Sequence, residues 1–316
     1  MNDLGSKHWI GFKPQAVAGT PETTVNTFLL SESAQMLPNH TPIERKTFAG
    51  TGQRLPSVKG WIKPSLKCTA ELAASQPHPF FWWAGAVAAT TPTAGVKLHT
   101  ITEADEPVSL TAEGDLVVNN ARQGDVRINK IKLSGKVGEI AHIEIEALGC
   151  SHEDGATLTS VPVFVTDPMT VHSCAITVDG EVVDTIEDFE IELDNMLEQK
   201  PTLVGAGGGP QVVRRKEMRK RGGKFKYIDF PSAELAKLAN ADTFAVVVEL
   251  RGALISDTYY NFLCVTLPCC QYSGGLEPEA SDSVITGSSD FEAFYDVVTG
   301  RALLIEAQNT VTDITV

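Results

Sequence analysis

The chain has 316 residues, of which 42% are hydrophobic and 21% charged, and its formal net charge is −14. This composition excludes an intrinsically disordered chain, and the length allows one large domain or two of ordinary size. The longest apolar run, Phe80–Ala89, is about half as long as a membrane-spanning helix. The first residues lack the basic start and apolar stretch of a secretory signal, so we expect no signal and no membrane partner.

Positive charge is concentrated in two segments. Glu44–Lys67 holds six basic residues and one acidic residue, Arg214–Lys226 holds eight and one, and the rest of the chain carries −26. Such basic arms can bind phosphates of a nucleic acid or dock on an acidic neighbouring subunit. We favour docking, because few aromatic residues accompany the second arm and the acidic remainder repels DNA. The cations predicted to make these contacts are Arg45, Lys46, Arg54, Lys59, Arg214, Arg215, Lys216, Arg219, Lys220, Arg221, Lys224 and Lys226.

Alternation of apolar and polar residues predicts strands over 126–135, 140–148 and 187–195. The segment 65–75, SLKCTAELAAS, predicts a short helix before Pro77. A clearer helix is predicted over 231–242, with Ser232 as its N-terminal cap. Leu235, Leu238 and Ala239 would form its apolar stripe.

Short segments recur at an offset of 162 or 163 residues. The matches are TAEL at Thr69 with SAEL at Ser232, GWIK at Gly60 with GKFK at Gly223, and strand-like runs from Gly138 and Gly300. This repetition predicts a mainly all-β fold with short helices, built as two β-sandwich or barrel domains over 1–160 and 161–316. Each domain would carry a long arm loop and one flanking helix. The alternative is chance similarity among strands of one large β domain.

Two Cys–His pairs suggest a zinc site, at Cys150 with His152 and at His172 with Cys174. One residue separates the members of each pair, whereas structural zinc sites use two to four, so we expect no metal. The six cysteines are scattered through a long chain, which predicts free thiols and not a disulfide framework.

Catalytic and cofactor motifs are weak. Gly205–Pro210 suggests a phosphate cradle, but no Lys-Ser/Thr pair follows, so a hinge is the better interpretation. Asp188, Glu190, Glu192 and Asp194 share one strand face, and such a row of acids indicates a solvated or lumen-facing surface rather than the acid and base of a glycosidase. We predict that the protein is not an enzyme and has no cofactor.

Several segments resemble bacteriophage tail tube proteins, also called major tail proteins. In the first half these are AVAGTPETT from Ala16, IERKTFAGTGQRLPSVKGWIK from Ile43 and CTAEL from Cys68. In the second half they are CAITVDGEVVDTIEDFEIELDN from Cys174, FLCVTLPCC from Phe262 and FEAFYDVVTGRALLIEAQN from Phe291. The likeness spans nearly the whole chain as a pattern of strands, arm and helix.

The resemblance implies a structural virion protein, related in fold to type VI secretion tubes, whose rings stack into a tail tube that conducts DNA during ejection. Many members carry one tube domain and form hexamers. Two tube domains in one chain would give a trimeric ring with pseudo-sixfold symmetry, with a hexamer as the alternative. The basic arms would contact the next ring, and Glu144, Glu146, Glu190 and Glu192 would line the lumen. The implied partners are further copies, a tape measure protein and other tail proteins, in a virion tail assembled in the host bacterial cytoplasm.

Two rival functions remain open. One is another ring-forming component, such as a tail terminator or a baseplate tube protein. The other is a carbohydrate-binding or carbohydrate-active β-sandwich that uses Phe80–Trp83 as a stacking platform. A packed core anchor is the alternative interpretation of these four aromatic residues.

Overall fold

The computed structural model describes residues 9–45, 56–115, 120–160, 167–201, 212–229, 232–274, 279–280 and 285–315. The chain is mostly antiparallel β-sheet, which confirms the predicted mainly all-β class, while its construction from two duplicated domains stays a prediction. The strands up to residue 154 are β1 Trp9–Pro14, β2 Thr27–Leu37, β3 His40–Ile43, β4 Val58–Ile62, β5 Ser65–Glu71, β6 Gly85–Thr93, β7 Val96–Glu103, β8 Leu110–Asp115, β9 Asn120–Lys136, β10 His142–Leu148 and β11 Ser151–Asp154.

The later strands are β12 Cys174–Val178, β13 Glu181–Val182, β14 Ile186–Asp194, β15 Leu197–Lys200, β16 Val212–Arg215, β17 Lys220–Tyr227, β18 Phe244–Ser256, β19 Tyr259–Tyr272, β20 Glu279–Ala280, β21 Ile285–Ala293 and β22 Leu304–Asn309. Two α-helices, α1 His78–Ala84 and α2 Ser232–Asn240, and a 3-10 turn at Val171–Ser173 complete the described elements. None of the helices in these ranges is long and apolar enough to cross a membrane.

Period-two alternation explains the strands predicted from the sequence. In β10, Ile143, Ile145 and Ala147 are buried while the residues between them are half-buried on the other face. The same pattern occurs in β14 and in the middle of β9. The strand predictions for 126–135, 140–148 and 187–195 are therefore confirmed.

The helix predicted over 65–75 is wrong. Leu66, Cys68 and Ala70 alternate into the core of β5, so period-two burial outweighs the helix propensity of the segment. The helix of this region is instead α1, which is buried over its whole length and ends at Gly85 with a φ of 96°. Its aromatic residues, Phe80–Trp83, are 0 to 7% exposed, which supports the core-anchor interpretation over a stacking platform.

Helix α2 is confirmed, but its predicted buried face is only partly right. Leu238 is half-buried and Ala239 is exposed, while the side chains of Ser232 and Leu235 lie outside the described residues. Glu234 is buried instead, because it accepts a hydrogen bond from the Tyr272 hydroxyl and pairs with Lys237 at 3.3 Å. A hydrogen-bonded carboxylate thus occupies part of the inner surface of the helix.

Eighteen of the described strands pair in one continuous network, from which β3 with β4 and β15 with β16 are separate. Strands β1, β2, β5, β10, β9 and β8 pair in a closed circuit. Residues 130–136 of β9 also pair with β14, and the sheet continues through β17, β21, β19, β18 and β12. Strand β22 joins β19 to β7. One hydrophobic cluster runs from Ile10 to Ile314, so both halves of the chain share a core.

The same pairing pattern occurs in each half. The β2–β5 pairing and the β14–β17 pairing each have one irregularity, between Ser31 and Ser33 and between Ile186 and Asp188. The β8–β9 and β18–β19 pairings also each skip one residue near their start, after Leu110 and after Phe244. Strand β1 pairs antiparallel with β8 in the first half, and β12 pairs antiparallel with β18 at the equivalent place in the second half.

The fixed offset of 162 or 163 residues is wrong as a structural correspondence. TAEL begins in β5 whereas SAEL lies in α2, and Gly60 is in β4 whereas Gly223 is in β17. The two strand-like runs form β10 and β22, which pair with different strands. The domain boundary at 160 stays a prediction, and residues 161–166 lie outside the described residues.

His78 should make folding pH-dependent. Its ring lies in the core against Trp82, and burial lowers its pKa to about 4 from an ordinary value near 6.5. The unfolded chain therefore binds this proton at higher pH than the folded chain does, so stability falls as the pH drops from 6.5 towards 4, by about 3 kcal/mol in total.

Chemical denaturation from pH 7 to pH 4 checks this. We expect His78→Phe to flatten the pH dependence of the unfolding free energy, whatever its effect at pH 7. His172→Phe, at an exposed position, is the matched control and should keep the wild-type slope. An unchanged slope in His78→Phe would contradict the assignment.

Candidate assembly surface

The two predicted basic arms correspond to two-stranded hairpins with different bounds. Strands β3 and β4 pair with each other between β2 and β5, and strands β15 and β16 pair between β14 and β17. The second basic segment is therefore not one free arm. Its first residues end β16, and Lys220–Lys226 lies in β17, between β14 and β21 in the main sheet.

Three arginines at the base of the second hairpin bind the last residue of β7 and the loop that follows it. Arg221 donates from Nε and Nη2 to Glu103 Oε1 at 2.9 and 2.6 Å. Arg219 Nη2 donates to the Ala104 carbonyl oxygen at 2.7 Å, and Arg215 Nη2 donates to the Asp105 carbonyl oxygen at 2.7 Å. These cations fasten the hairpin to their own chain.

Asn195 also holds the base of the second hairpin in place, and we call its contacts with Arg219 the anchor. Its side chain is fully buried and donates from Nδ2 to the carbonyl oxygens of Trp83 and Ile128, both at 3.0 Å. Its Oδ1 accepts from Arg219 Nε at 2.6 Å, and the Arg219 guanidinium lies 5.3 Å from the centre of the Trp83 ring. Burial lowers the pKa of Arg219 to about 10, so the group remains charged at neutral pH. These hydrogen bonds join α1 and β9 to the base of the second hairpin.

The other predicted arm cations are mostly exposed. Arg45, Arg214, Lys216, Lys220, Lys224 and Lys226 are exposed. Lys224 and Lys226 lie 3.7 and 3.0 Å from carboxylates of Asp290 and Glu187. Lys46 and Arg54 lie outside the described residues, as do the side chain of Lys59 and the predicted glycine hinge at 205–210. That these cations contact another ring stays a prediction.

Six neighbouring strands present one polar face on which cationic and anionic strands alternate. We call it the alternating face; it comprises Lys67 and Glu71 on β5, Glu144 and Glu146 on β10, Lys130, Lys132 and Lys136 on β9, Asp188, Glu190, Glu192 and Asp194 on β14, Lys220, Lys224 and Lys226 on β17, and Asp290 and Glu292 on β21. Seven lysines and nine carboxylates leave two net negative charges. The opposite side of these strands is core.

The four carboxylates predicted to line a lumen are all on this face, and each pairs with a lysine. Lys67 Nζ bridges Glu144 and Glu146. Lys132 Nζ lies 2.7 Å from Glu190, and Lys130 Nζ lies 2.8 Å from Glu192. Hydrogen bonds to the two carboxylates raise the pKa of Lys67 well above its ordinary range. The negative charge of these four carboxylates is therefore largely offset by lysines of the same chain, and their lining of a lumen stays a prediction.

The ends of the acidic row on β14 are less well solvated. Burial raises the pKa of Asp188, against the opposing effect of Lys226 and Lys136. Burial likewise raises the pKa of Asp194, against the Met196 backbone N–H that donates to its Oδ1 at 2.7 Å. The seam between β9 and β14 is thus partly desolvated, which strengthens the attraction between its charges.

The sequence contains one signal for this arrangement besides the basic segments and the row of acids. Lys130 and Lys132 alternate with apolar residues in β9, as the acids do in β14, and complementary rows at the same period indicate neighbouring strands. Asn195 and Glu103 gave no local signal, because their roles depend on contacts distant in sequence.

The two Cys–His pairs have other partners. Cys150 Sγ donates to Asp125 Oδ2 at 3.3 Å, and His152 lies near Gln123 and Asp154. Among the residues described, no group of three or more His, Cys, Asp and Glu side chains is arranged to hold a metal ion. All six cysteines are free thiols, as predicted.

A comparison with protein families identifies the chain. The family model described as phage tail tube protein matches residues 5–293. The chain belongs to the phage tail tube protein family. No curated protein matches it.

This membership gives the chain a structural role in a phage tail. It is a component of the virion that self-assembles with other tail proteins into a tube, and the family indicates a protein without enzymatic activity.

Asn195→Ala should destabilise the subunit by about 3 kcal/mol, because two carbonyl oxygens and the Arg219 guanidinium lose buried partners. Urea denaturation measures the change. Asn261→Ala is the control, since Asn261 donates one exposed hydrogen bond to the Ala253 carbonyl oxygen at 3.3 Å, and it should shift stability by less than about 0.5 kcal/mol. Equal losses in both variants would contradict the anchoring role.

Proposed function

We propose that this tail tube protein forms rings of three chains with pseudo-sixfold symmetry, and that the rings stack around a lumen through which double-stranded DNA leaves the virion. The observation that carries the proposal is the pairing pattern that occurs in both halves of the chain. If each half is one tube domain, over 1–160 and 161–316, three chains supply six domains. The alternative is a ring of six chains.

Matching irregularities in strand pairing support a tandem duplication better than the sequence matches do. A skipped residue at the same place in two separate pairs of strands is not required by a β-sheet in general. The halves differ where the first carries the additional hairpin β6–β7 between its helix and β8. Such an insertion explains why no single sequence offset relates the halves.

In this proposal the two hairpins make the contacts between stacked rings. Both leave the sheet at equivalent points, between β2 and β5 and between β14 and β17. Arg215, Arg219 and Arg221 hold the base of the second hairpin, while Arg214 and Lys216 remain exposed for a neighbouring acidic surface. A contact between a hairpin on one ring and the body of the next is heterologous, so it propagates as a filament.

The alternating face is the candidate lumen lining. Glu144, Glu146, Glu190 and Glu192 alternate there with lysines, so the potential changes sign over the spacing of adjacent strands, about 5 Å. Such a potential largely cancels at a distance, and DNA, with one charge per about 1.7 Å of axis, neither binds tightly nor meets a large barrier. A tape measure protein would fill the same space before ejection. Assembly would take place in the host bacterial cytoplasm, and the relation to type VI secretion tubes belongs to this proposal.

The rival functions are less well supported. A terminator or baseplate ring has one neighbouring ring to dock on, whereas this chain carries two hairpins. A carbohydrate platform at Phe80–Trp83 conflicts with the burial of all four side chains.

Counting the chains in a ring tests the symmetry. We expect native mass spectrometry of assembled rings to give three copies of the 34.0 kDa chain per ring, because two domains per chain fill six positions. Negative-stain class averages should show six similar lobes. Six chains per ring would overturn the trimer, and monomers without rings would overturn the tube.

The exposed cations of the second hairpin should control stacking. We expect Arg214→Glu with Lys216→Glu to leave rings intact and to shorten tubes at least about tenfold, because the docking charge is reversed. Lys97→Glu with Arg301→Glu makes the same charge change elsewhere and is the control. Tube length measured by negative stain decides, and equal shortening by both double variants would exclude the hairpin as the docking element.

A further inference from the structure

The pairing of β9 with β14 joins the two halves within a chain. Ser134 lies opposite Glu190, and Gly135 lies opposite Phe189. The same residues of β14 pair on their other edge with β17, at Lys224 and Phe225. Strand β14 is therefore held on both edges.

Strand β2 occupies the position of β14 in the first half. Gln35 and Ala34 pair with Lys67 and Cys68 on β5, just as Glu190 and Phe189 pair with Lys224 and Phe225 on β17. In both strands the pairing irregularity lies a few residues earlier in the chain. In the described part of the chain, Gln35 and Ala34 have a partner strand on the β5 edge alone. Gln35 is exposed. The edge that β9 covers on β14 is thus open on β2.

Strand β20 occupies the position of the end of β9. Leu148 of β10 pairs with Ser65 and Arg127, and Glu292 of β21 pairs likewise with Gly222 and Gln271.

His142 lies six residues before Leu148 and pairs with Ser134. Thr286 lies six residues before Glu292 and pairs with Glu279. Glu279 and Ala280 therefore correspond to Ser134 and Gly135. Strand β20 pairs on one edge with β21, and its other edge is open within the residues described.

We propose that β20 of one copy pairs antiparallel with the open edge of β2 of a second copy, with Glu279 opposite Gln35 and Ala280 opposite Ala34. This reproduces between chains the pairing that β9 and β14 make within a chain, and it rests on the proposed ring. The two edges differ, so the contact is head to tail, and in the proposed ring it repeats from copy to copy until the ring closes. It also covers two strand edges that would otherwise template aggregation.

The contact between chains differs from the seam within a chain in charge. At the seam, Lys130, Lys132 and Lys136 lie opposite Asp194, Glu192 and Asp188. On β2 the corresponding side chains are neutral, at Gln35 and at its same-face neighbours Ser33 and Leu37. Ring closure should therefore depend little on salt, whereas stacking through the cationic hairpins should weaken with salt.

Site-directed cross-linking tests the register. Directly opposed residues in an antiparallel pair lie about 4.5–5.5 Å apart at Cα, within reach of a disulfide. We expect Gln35→Cys with Glu279→Cys to give a ladder of covalent oligomers under mild oxidation, ending at the number of chains in the ring. Glu32→Cys with Glu279→Cys places the cysteines about 10 Å out of register and should cross-link at least tenfold less. The two single variants control for the native thiols.

The outcomes separate this contact from the proposed function. Rings seen by negative stain without cross-links, or with equal cross-linking in the out-of-register variant, overturn the pairing and leave the tube intact. Absence of rings from every variant and from the unaltered protein overturns both. In unaltered protein, rings should persist at 1 M salt while tubes come apart, a result that does not depend on the folding of any variant. Loss of rings before loss of stacking would overturn the neutral contact.

Discussion

Strand β9 is the element on which the architecture depends. Its first part closes the circuit of the first half against β8, and its last part pairs with both β10 and β14. Because it belongs to both halves at once, the two cannot separate without breaking a continuous ladder and opening the shared core. The anchor of Asn195 and Arg219 adds to this join, since it links α1 and β9 to the hairpin of the second half.

Charge on the alternating face serves specificity more than stability. Pairs such as Lys132 with Glu190 are about one-third exposed, and such pairs each contribute little to the free energy of folding. A slip of one residue between β9 and β14, however, would turn the lysines of β9 into the core. Slipping by two would move the end charges out of register. The rows of opposite sign therefore favour one register and disfavour its neighbours.

Residue patterns predicted the strands with alternating burial and the longer helix, because those signals are local. They failed where a contact distant in sequence decides: residues 65–71 became a strand since β2 and β10 pair on either side. The short similar segments at an offset of 162 or 163 lie in different elements of the two halves, and the first half carries the extra hairpin β6–β7. The likeness between the halves is therefore seen in the strand registers and not in the segment matches. Counting cations located the basic segments and could not tell Arg219, buried beneath a loop, from Arg214, which is exposed.

The shared core has a mechanical consequence. In the described residues the halves are joined by a β ladder and one hydrophobic cluster, so each subunit should respond to load as a stiff block. Curvature in a tail made of such blocks has to be taken up where separate chains meet. The flexural rigidity of the whole tail would then follow from its surface contacts and from the solution conditions that strengthen or weaken them.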